Sequence, residues 1–345
     1  MTLSKSAKYY PAIDGLRAYA AIGVACMHIM TNGSFNLGPV ASHIVGSLGE
    51  CVYLFMVISG FSMCCGYYER VATGKISVGD FYSRRYRKIL PFFALLCLLD
   101  LAASPSLDSL YEVFANLTLC FGLLPNPTIS VIGVGWFLGV AFVFYLCFPF
   151  FCWLLQDKRR AWTSALVALA INLLCRTYFF NLDYVVTGFD GRTNVLCCAV
   201  YFFVGGLVCL FREELTEVSG NHRLLTFALC CGFAALFFAH GASTPILIGV
   251  CAALLIYAIG YGGNAPSILA NKPMRFLSGI SLEVYLSHMM MFRAVSALHL
   301  ANALGGGPVA FIVVAALTIC CAIVFSFVVK KAFAAFGQKP SCRLS

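Results

Sequence analysis

The sequence predicts an all-α integral membrane protein: a bundle of about ten transmembrane helices with both termini in the cytoplasm. Three observations carry this. Of the 345 residues 61% are apolar and 11% charged, with a mean hydropathy of +0.89, and water could not wet the surface of a soluble domain with that composition. The apolar residues gather into ten runs long enough to cross or nearly cross a bilayer, approximately 12–31, 46–68, 89–103, 131–155, 161–180, 194–211, 223–240, 244–262, 276–297 and 309–330. Threading the chain through ten spans puts Arg70, Lys75, the Arg84 to Lys88 cluster, Lys158 to Arg160, Arg212, Arg223, Lys272, Arg275, Lys330, Lys331 and the terminal Lys5, Lys8, Lys339 and Arg343 on one side. Only Arg176, Arg192 and Arg293 fall at or near the other. By the positive-inside rule the crowded side is cytoplasmic, and the even count returns the chain to it. The formal charge of +9 therefore reports orientation. No basic block with interleaved aromatics suggests a nucleic-acid partner.

The first span opens after a short polar stretch without a signal-peptide pattern, and it contains DGLRAYAAIGVACMH, Asp14 to His28. Ionisable groups at membrane depth are costly enough to be functional by default. Arg17 and His28 are eleven residues apart, about three helical turns and roughly 16 Å, so they share a face. Ala21, Val24 and Ala25 lie between them on that face, small enough to leave a passage along the helix. Asp14, one turn before Arg17, is expected to hold the guanidinium.

The second span carries Glu50 near its outer end and closes on ISGFS, Ile58 to Ser62. A carboxylate turned inward needs a partner, and His28 is at the right depth to be one. Ser59 and Gly60 suit either close helix approach or a cavity wall. The third span follows FYSRRYRKILP, Phe81 to Pro91. Arg84 and Arg87, three apart, share a face at the cytoplasmic surface, and Pro91 bends or restarts the helix. Such charge serves orientation, but guanidinium also gives bidentate recognition of phosphate oxygens. Segment 104–130 reads as an outer loop whose apolar piece, Phe114 to Leu124, is too short to cross. Trp136 on the fourth span is placed as an interfacial anchor. Beyond the fifth span Arg176, Asp183, Asp190, Arg192 and Asn194 form a polar outer rim, suited to sugar hydroxyls or simply to solvent.

Arg212 to Arg223 and Asn264 to Arg275, on either side of the seventh and eighth spans, read as cytoplasmic connectors without a signature. In the ninth, Ser278, Ser281, Tyr285 and His288 follow three-and-four spacing and make one polar stripe, which must face protein or water rather than lipid. Interhelical hydrogen bonds account for the serines; Tyr285 and His288 fit either that role or the lining of a cavity shared with His28. Glu283 lies off the stripe. The 18 cysteines stand singly or as adjacent pairs in apolar runs, with no C-x-x-C, so they read as packing residues and no metal is expected. Without a repeat or a soluble appendage, residues 1–345 read as one transmembrane domain, with spans over about 12–334 and no fused extracytoplasmic domain.

DGLRAYAAIGVACMH, FMVISGF (Phe55 to Phe61), FYSRRYRKILP, GWFLGVAFVFYLCFP (Gly135 to Pro149) and SLEVYLSH (Ser281 to His288) together resemble the acyltransferase 3 family of membrane proteins, which move acyl groups onto cell-surface carbohydrates. They occur in the family's order over most of the chain. The resemblance implies a cytoplasmic acyl-coenzyme A donor, usually acetyl-coenzyme A, and an acceptor hydroxyl on a surface or lipid-linked carbohydrate. It also implies an essential histidine and arginine on the first span, here His28 and Arg17, and an R-x-x-R motif, here Arg84 and Arg87. Many relatives carry a fused esterase-like domain; a chain without one reaches its acceptor directly or through a separate extracytoplasmic partner.

On this reading the protein sits in the cytoplasmic membrane. Arg84 and Arg87 take the donor's phosphates, Arg17 guides the thioester, and His28 acts as base or acyl carrier, with Asp14, Glu50, Ser59, Tyr285 and His288 lining the site. One rival is a proton-coupled transporter in which His28, Glu50 and His288 form a relay. Another is a non-catalytic partner for polysaccharide export.

Overall fold

The structure is a computed structural model that describes residues 9–124, 132–180, 183–185 and 189–337. Lys5, Lys8, Lys339 and Arg343, four of the cations used for orientation, lie outside them. All regular structure among the described residues is helical. Each of the ten predicted runs is helical over most of its length.

The first span is α1 (Pro11–Asn32), with proline at the position where its missing N–H costs nothing. The second is longer than predicted. Helix α2 (Gly38–Ser47), a 3-10 turn at Leu48–Glu50, α3 (Cys51–Met63), a π turn at Cys64–Tyr68 and α4 (Glu69–Ala72) follow one another without a loop. Helix α5 (Val78–Ala103) starts where the Ser77 hydroxyl accepts the Asp80 N–H at 3.0 Å, a standard cap. It runs unbroken through Pro91, so the basic stretch and the third span are one rod. The proline leaves the Arg87 carbonyl without its helical donor, a tolerable loss because both residues are exposed.

The amphipathic α6 (Leu107–Leu117), capped by Ser106, stands in the segment expected as an outer loop, with Leu107 and Phe114 exposed, and a 3-10 turn at Phe121–Leu123 follows. Next come α7 (Trp136–Leu155) and α8 (Lys158–Leu174), the latter ending in a π turn at Cys175–Phe179. Helices α9 (Val195–Leu210) and α10 (Arg212–Asn221) meet at 78°. After α11 (Arg223–His240) and α12 (Thr244–Gly260) come the short α13 (Ser267–Ala270) and α14 (Lys272–Gly279). The ninth predicted span is broken just after Gly279, at Ile280, where α14 gives way to α15 (Ser281–Ser296). The chain closes with α16 (Leu300–Ala303) and α17 (Pro308–Gly337).

Six helices among the described residues are long and apolar enough to cross a membrane: α1, the composite 38–72, α7, α8 with its π turn, α11 and α17. A seventh counts if the bent α9–α10 pair is one span. The chain is thus a multi-pass membrane protein. The other predicted spans fall short of that standard because α5 carries a charged half, α12 has 17 residues and the ninth is interrupted.

Helix α3 is the spine of the bundle. Nine of its thirteen residues are buried apolar side chains, and its contact with α9 is set by two glycines. A Cβ on Gly60 would lie 2.4 Å from the Phe202 carbonyl oxygen, and one on Gly205 would lie 2.1 Å from that of Val57. Without a hydrophobic driving force between helices in lipid, such close backbone approach is a main source of association. Helix α11 is the opposite case, with Leu224, Leu225 and Phe227 exposed to the surroundings, the face a helix turns to lipid.

Overpacking at the α3–α9 contact is predicted to be severe. Gly205→Ala should destabilise the purified protein by about 1–3 kcal/mol and lower its unfolding midpoint in detergent. Gly232→Ala on α11, where a Cβ meets nothing within 4 Å, should leave the midpoint unchanged or raise it. Equal effects would mean that α3 and α9 do not touch backbone to backbone.

Candidate active site

A cavity of about 310 Å³ opens among α1, α3, α5, α7 and α14–α15. Arg17, Ser59 and Tyr285 line it, as the sequence predicts, together with Ser62, Tyr67, Arg85, Lys88 and Glu283. Arg17 reaches across to α3, where its Nη2 donates to the Ser62 hydroxyl at 3.1 Å. Asp14 does not form the expected ion pair with it. Its carboxylate accepts from the Ser278 hydroxyl at 2.7 Å and from the Tyr9 hydroxyl. Three helix positions leave two side chains about 60° apart around the axis, and here that sends Asp14 to α14 and Arg17 to the cavity.

The basic stretch is used in a different register from the one expected. Arg84, Arg87 and Lys88 are all exposed, but within this stretch it is Arg85 and Lys88, also three apart, that belong to the cavity wall. Arg85 donates to the Tyr67 hydroxyl at 2.5 Å, and its guanidinium carbon lies 4.5 Å from that ring's centre. The buried residues of α5 explain the register. Phe81, Ile89, Phe92 and Leu96 set its inward face, and three-and-four spacing from them puts Arg85 and Lys88 on that face. The hydrophobic pattern around the arginines held this signal. Glu283, read as off the polar stripe, also faces the cavity and is paired with Lys330 at 2.9 Å.

The inner end of the cavity is a layer of rings. Phe55, Phe137 and Tyr285 contact one another with centres 5.6–6.1 Å apart, and the Tyr285 hydroxyl donates to the Val134 carbonyl at 2.9 Å. His28 is not part of the cavity lining. Between Tyr285 on the lining and His28 comes His288, its ring 5.9 Å from Tyr285 and 5.4 Å from His28. Ala21, Val24 and Ala25 are buried to 3% exposure or less. The face between Arg17 and His28 is therefore closed by packing and is not the passage expected, because small side chains draw neighbouring helices in.

His288 is fully buried. Its Nδ1 lies 2.6 Å from the Tyr285 carbonyl oxygen, so that nitrogen carries the proton and donates it. Its Nε2, left as an acceptor, has no hydrogen-bond partner among the described residues, and the ring beside it, tilted by 35°, is His28. The two histidines from α1 and α15 that the sequence singles out are thus brought together.

Glu50 belongs to a third group. Its partner is Arg192, at 3.8 Å, in place of the expected His28. Asp190 stands 4.0 Å from the same guanidinium, and Trp136, expected as a lipid-interface anchor, lies beneath it at 5.9 Å. Burial works against the Arg192 charge, yet Glu50, Tyr53 and Asp190 hold it above its ordinary value. Arg192 and Asp190 line a smaller pocket of about 180 Å³ with Arg176, Asn172 and Tyr53. The loop residue that claims Glu50 follows in sequence by more than a hundred positions, and no local pattern announces the pair.

No solved structure matches the chain. Among curated proteins it is similar to a peptidoglycan O-acetyltransferase of Listeria monocytogenes, OatA, 25% identical over 331 residues that take in 83% of this chain and 50% of the relative. The O-acetyltransferase OatA of Staphylococcus aureus is 26% identical over 82% of this chain and 50% of its own length. A putative peptidoglycan O-acetyltransferase of Bacillus subtilis, YrhL, is 24% identical over 81% and 48%. The chain spans about half the length of these relatives. The acyltransferase 3 family, described as an acyltransferase domain, matches residues 10–327, nearly the whole of the helical bundle, and the chain belongs to that family.

Proposed function

We propose that this protein is a membrane-embedded O-acyltransferase that moves an acyl group, most simply acetyl, from cytoplasmic acyl-coenzyme A to a hydroxyl of an envelope carbohydrate. The observation that carries the reading is the arrangement of charge and base. A cavity with Arg17, Arg85 and Lys88 on its walls ends at a ring layer, and directly behind that layer stand His288 and His28. The one-sided cations support a cytoplasmic membrane protein with both termini inside, so that the cavity opens to the cytoplasm. The relatives' names support a peptidoglycan or related glycan acceptor.

Arg85 and Lys88 are the groups best placed for the donor's phosphates, one by a planar fork and one by a point charge. Arg17, held by Ser62, lies against the pantetheine arm. The thioester then meets Phe55, Phe137 and Tyr285, and a swing of Tyr285 away from the Val134 carbonyl opens the way to the histidines. A His28 N–H turned to the bare Nε2 of His288 leaves the other His28 nitrogen with its lone pair toward the acceptor. That nitrogen takes the proton of the sugar hydroxyl as the oxygen attacks the thioester carbonyl. The C–S bond breaks, and the coenzyme A thiolate leaves and recovers the proton from the imidazolium. No metal has a role in this scheme. Glu50, paired to Arg192, serves the acceptor side.

Purified protein in liposomes, given acetyl-coenzyme A and glycan, should release free coenzyme A and acetylate the glycan. His28→Ala should lower turnover about 10²–10⁴-fold, the usual worth of a general base. Proton-linked solute uptake without any coenzyme A release would replace this reading with a transporter. The phosphate assignment has its own comparison. Arg85→Gln with Lys88→Gln should raise the donor KM roughly tenfold or more, the loss of hydrogen bonds to charged groups, while Arg84→Gln with Arg87→Gln changes it by less than about threefold. The reverse order would return the donor to the exposed pair.

A further inference from the structure

The smaller pocket between α8, α9 and the segment around Asp190 differs from the inner cavity in one respect that bears on what it binds. The inner cavity sets Arg17, Arg85 and Lys88 against a single carboxylate, Glu283, which Lys330 already holds. The outer pocket is balanced, with Arg176 and Arg192 against Asp190 and the adjoining Glu50.

Its charged side chains are also held short of pairing with one another, although Asp190 Oδ1 accepts the Arg192 backbone N–H at 2.9 Å. Arg192 stands 3.8 Å from Glu50 and 4.0 Å from Asp190, beyond the 2.7–3.2 Å of an N–H to oxygen hydrogen bond. Arg176 is fixed from behind: its Nη1 donates to the Thr244 hydroxyl at 2.9 Å, Thr244 donates to Asn172 at 2.8 Å, and Asn172 donates to the Cys197 carbonyl at 2.5 Å. Asn172 and Thr244 are 1% and 4% exposed, so a satisfied buried relay from three helices presets this guanidinium. Among the described residues it has no carboxylate within 4 Å, and its exposed side leaves the other donors open to a ligand. Tyr53 and Phe180 contribute ring surface. Phe180 keeps its place because residue 191 is glycine; a Cβ there would lie 2.8 Å from the Phe180 ring.

A charge-balanced pocket with spare donors, spare acceptors and aromatic faces does not suit a phosphate or a polyanion. It suits a ligand whose every polar group both donates and accepts, which describes a hydroxyl, on a scaffold with an apolar face. Depth fits as well. Gly49, next to Glu50, packs against Met27, whose methyl would be 2.7 Å from a Cβ at that position, so the carboxylate adjoining the pocket springs from backbone level with the residue before His28.

We propose that this pocket seats the acceptor and takes an uncharged sugar ring, whose hydroxyls bridge Arg192 to Glu50 and Asp190 while Arg176 anchors the far side. The assignment rests on the acyltransferase reading for the word acceptor, but its binding chemistry stands apart from turnover.

Trp136 beneath Arg192 is a built-in reporter, since the chain has three tryptophans and Trp153→Phe with Trp162→Phe leaves it alone. The full chain in nanodiscs is titrated with a neutral N-acetylglucosamine tetramer and with an acidic galacturonate tetramer. The neutral probe should change Trp136 emission saturably and bind at least tenfold more tightly than the acidic one. Arg176→Gln and Asp190→Asn should each weaken it about tenfold, raise the acceptor KM in the transfer assay by a similar factor and leave the donor KM where it is. Equal or tighter binding of the acidic probe, no response to the neutral one, or binding untouched by both substitutions overturns the proposal. A parent protein that binds the neutral probe selectively yet releases no coenzyme A overturns the acyl-transfer reading and not the pocket's chemistry.

Discussion

The complete burial of His288 is the constraint around which the two ends of the chain are arranged. An imidazole has two nitrogens and, when neutral, one proton. The Tyr285 carbonyl at 2.6 Å takes that proton's hydrogen bond, which leaves Nε2 as an acceptor inside a helix bundle. A buried acceptor without a partner costs about 1–3 kcal/mol, and the ring next to it is His28. A cost of that size is relieved if His28 turns an N–H toward it. The backbone of α15 thereby fixes the tautomer of one histidine and, in the proposed reaction, the orientation of the other.

Helix α3 keeps two different chambers apart while binding the bundle together. Ser59 and Ser62 face the inner cavity, Tyr53 faces the outer pocket, and Gly60 between them gives its flank to α9. A helix can do all three because its side chains radiate at 100° steps and because Gly60 and Gly205 bring two backbones into contact without side chains between them. Ser59 and Gly60, adjacent in sequence and ambiguous when read there, have divided the two expected roles between them. One lines a cavity and the other closes a helix contact.

Most of the helical architecture was legible because apolar run length is a one-dimensional signal, and α1, α7 and α11 lie within a few residues of their expected bounds. Breaks were harder to see. The interruption just after Gly279 and the continuity of α5 through Pro91 depend on neighbours that the local sequence does not contain. Within the site, residues that share a helix face could be found, as Arg17 was and as His288 was by its polar stripe. Arg84 and Arg87 rest on their spacing and on the R-x-x-R motif of the resemblance, whereas the phase fixed by Phe81, Ile89 and Phe92 turns Arg85 and Lys88 to the cavity. Glu50 shows the other limit. Its partner lies on a loop before α9, and a pairing between distant elements leaves no periodic trace.

The ring layer of Phe55, Phe137 and Tyr285 has a physical consequence for the chemistry proposed on either side of it. A thioester beside an imidazole in an open, wet channel would be hydrolysed, because water competes for the same base. Exclusion of water is one of the things a closed site does, and three mutually packed rings pinned by a hydroxyl on the Val134 carbonyl supply that exclusion from the donor side. Opening the layer costs one hydrogen bond and some ring contact, an amount that docking of a large anionic donor on Arg85 and Lys88 can offset. In the proposed reaction the cavity's charge and its closed end are then two parts of one arrangement: the cations would bind the donor where it is harmless, and the energy of that binding would be available to move the thioester past Tyr285 to the histidines.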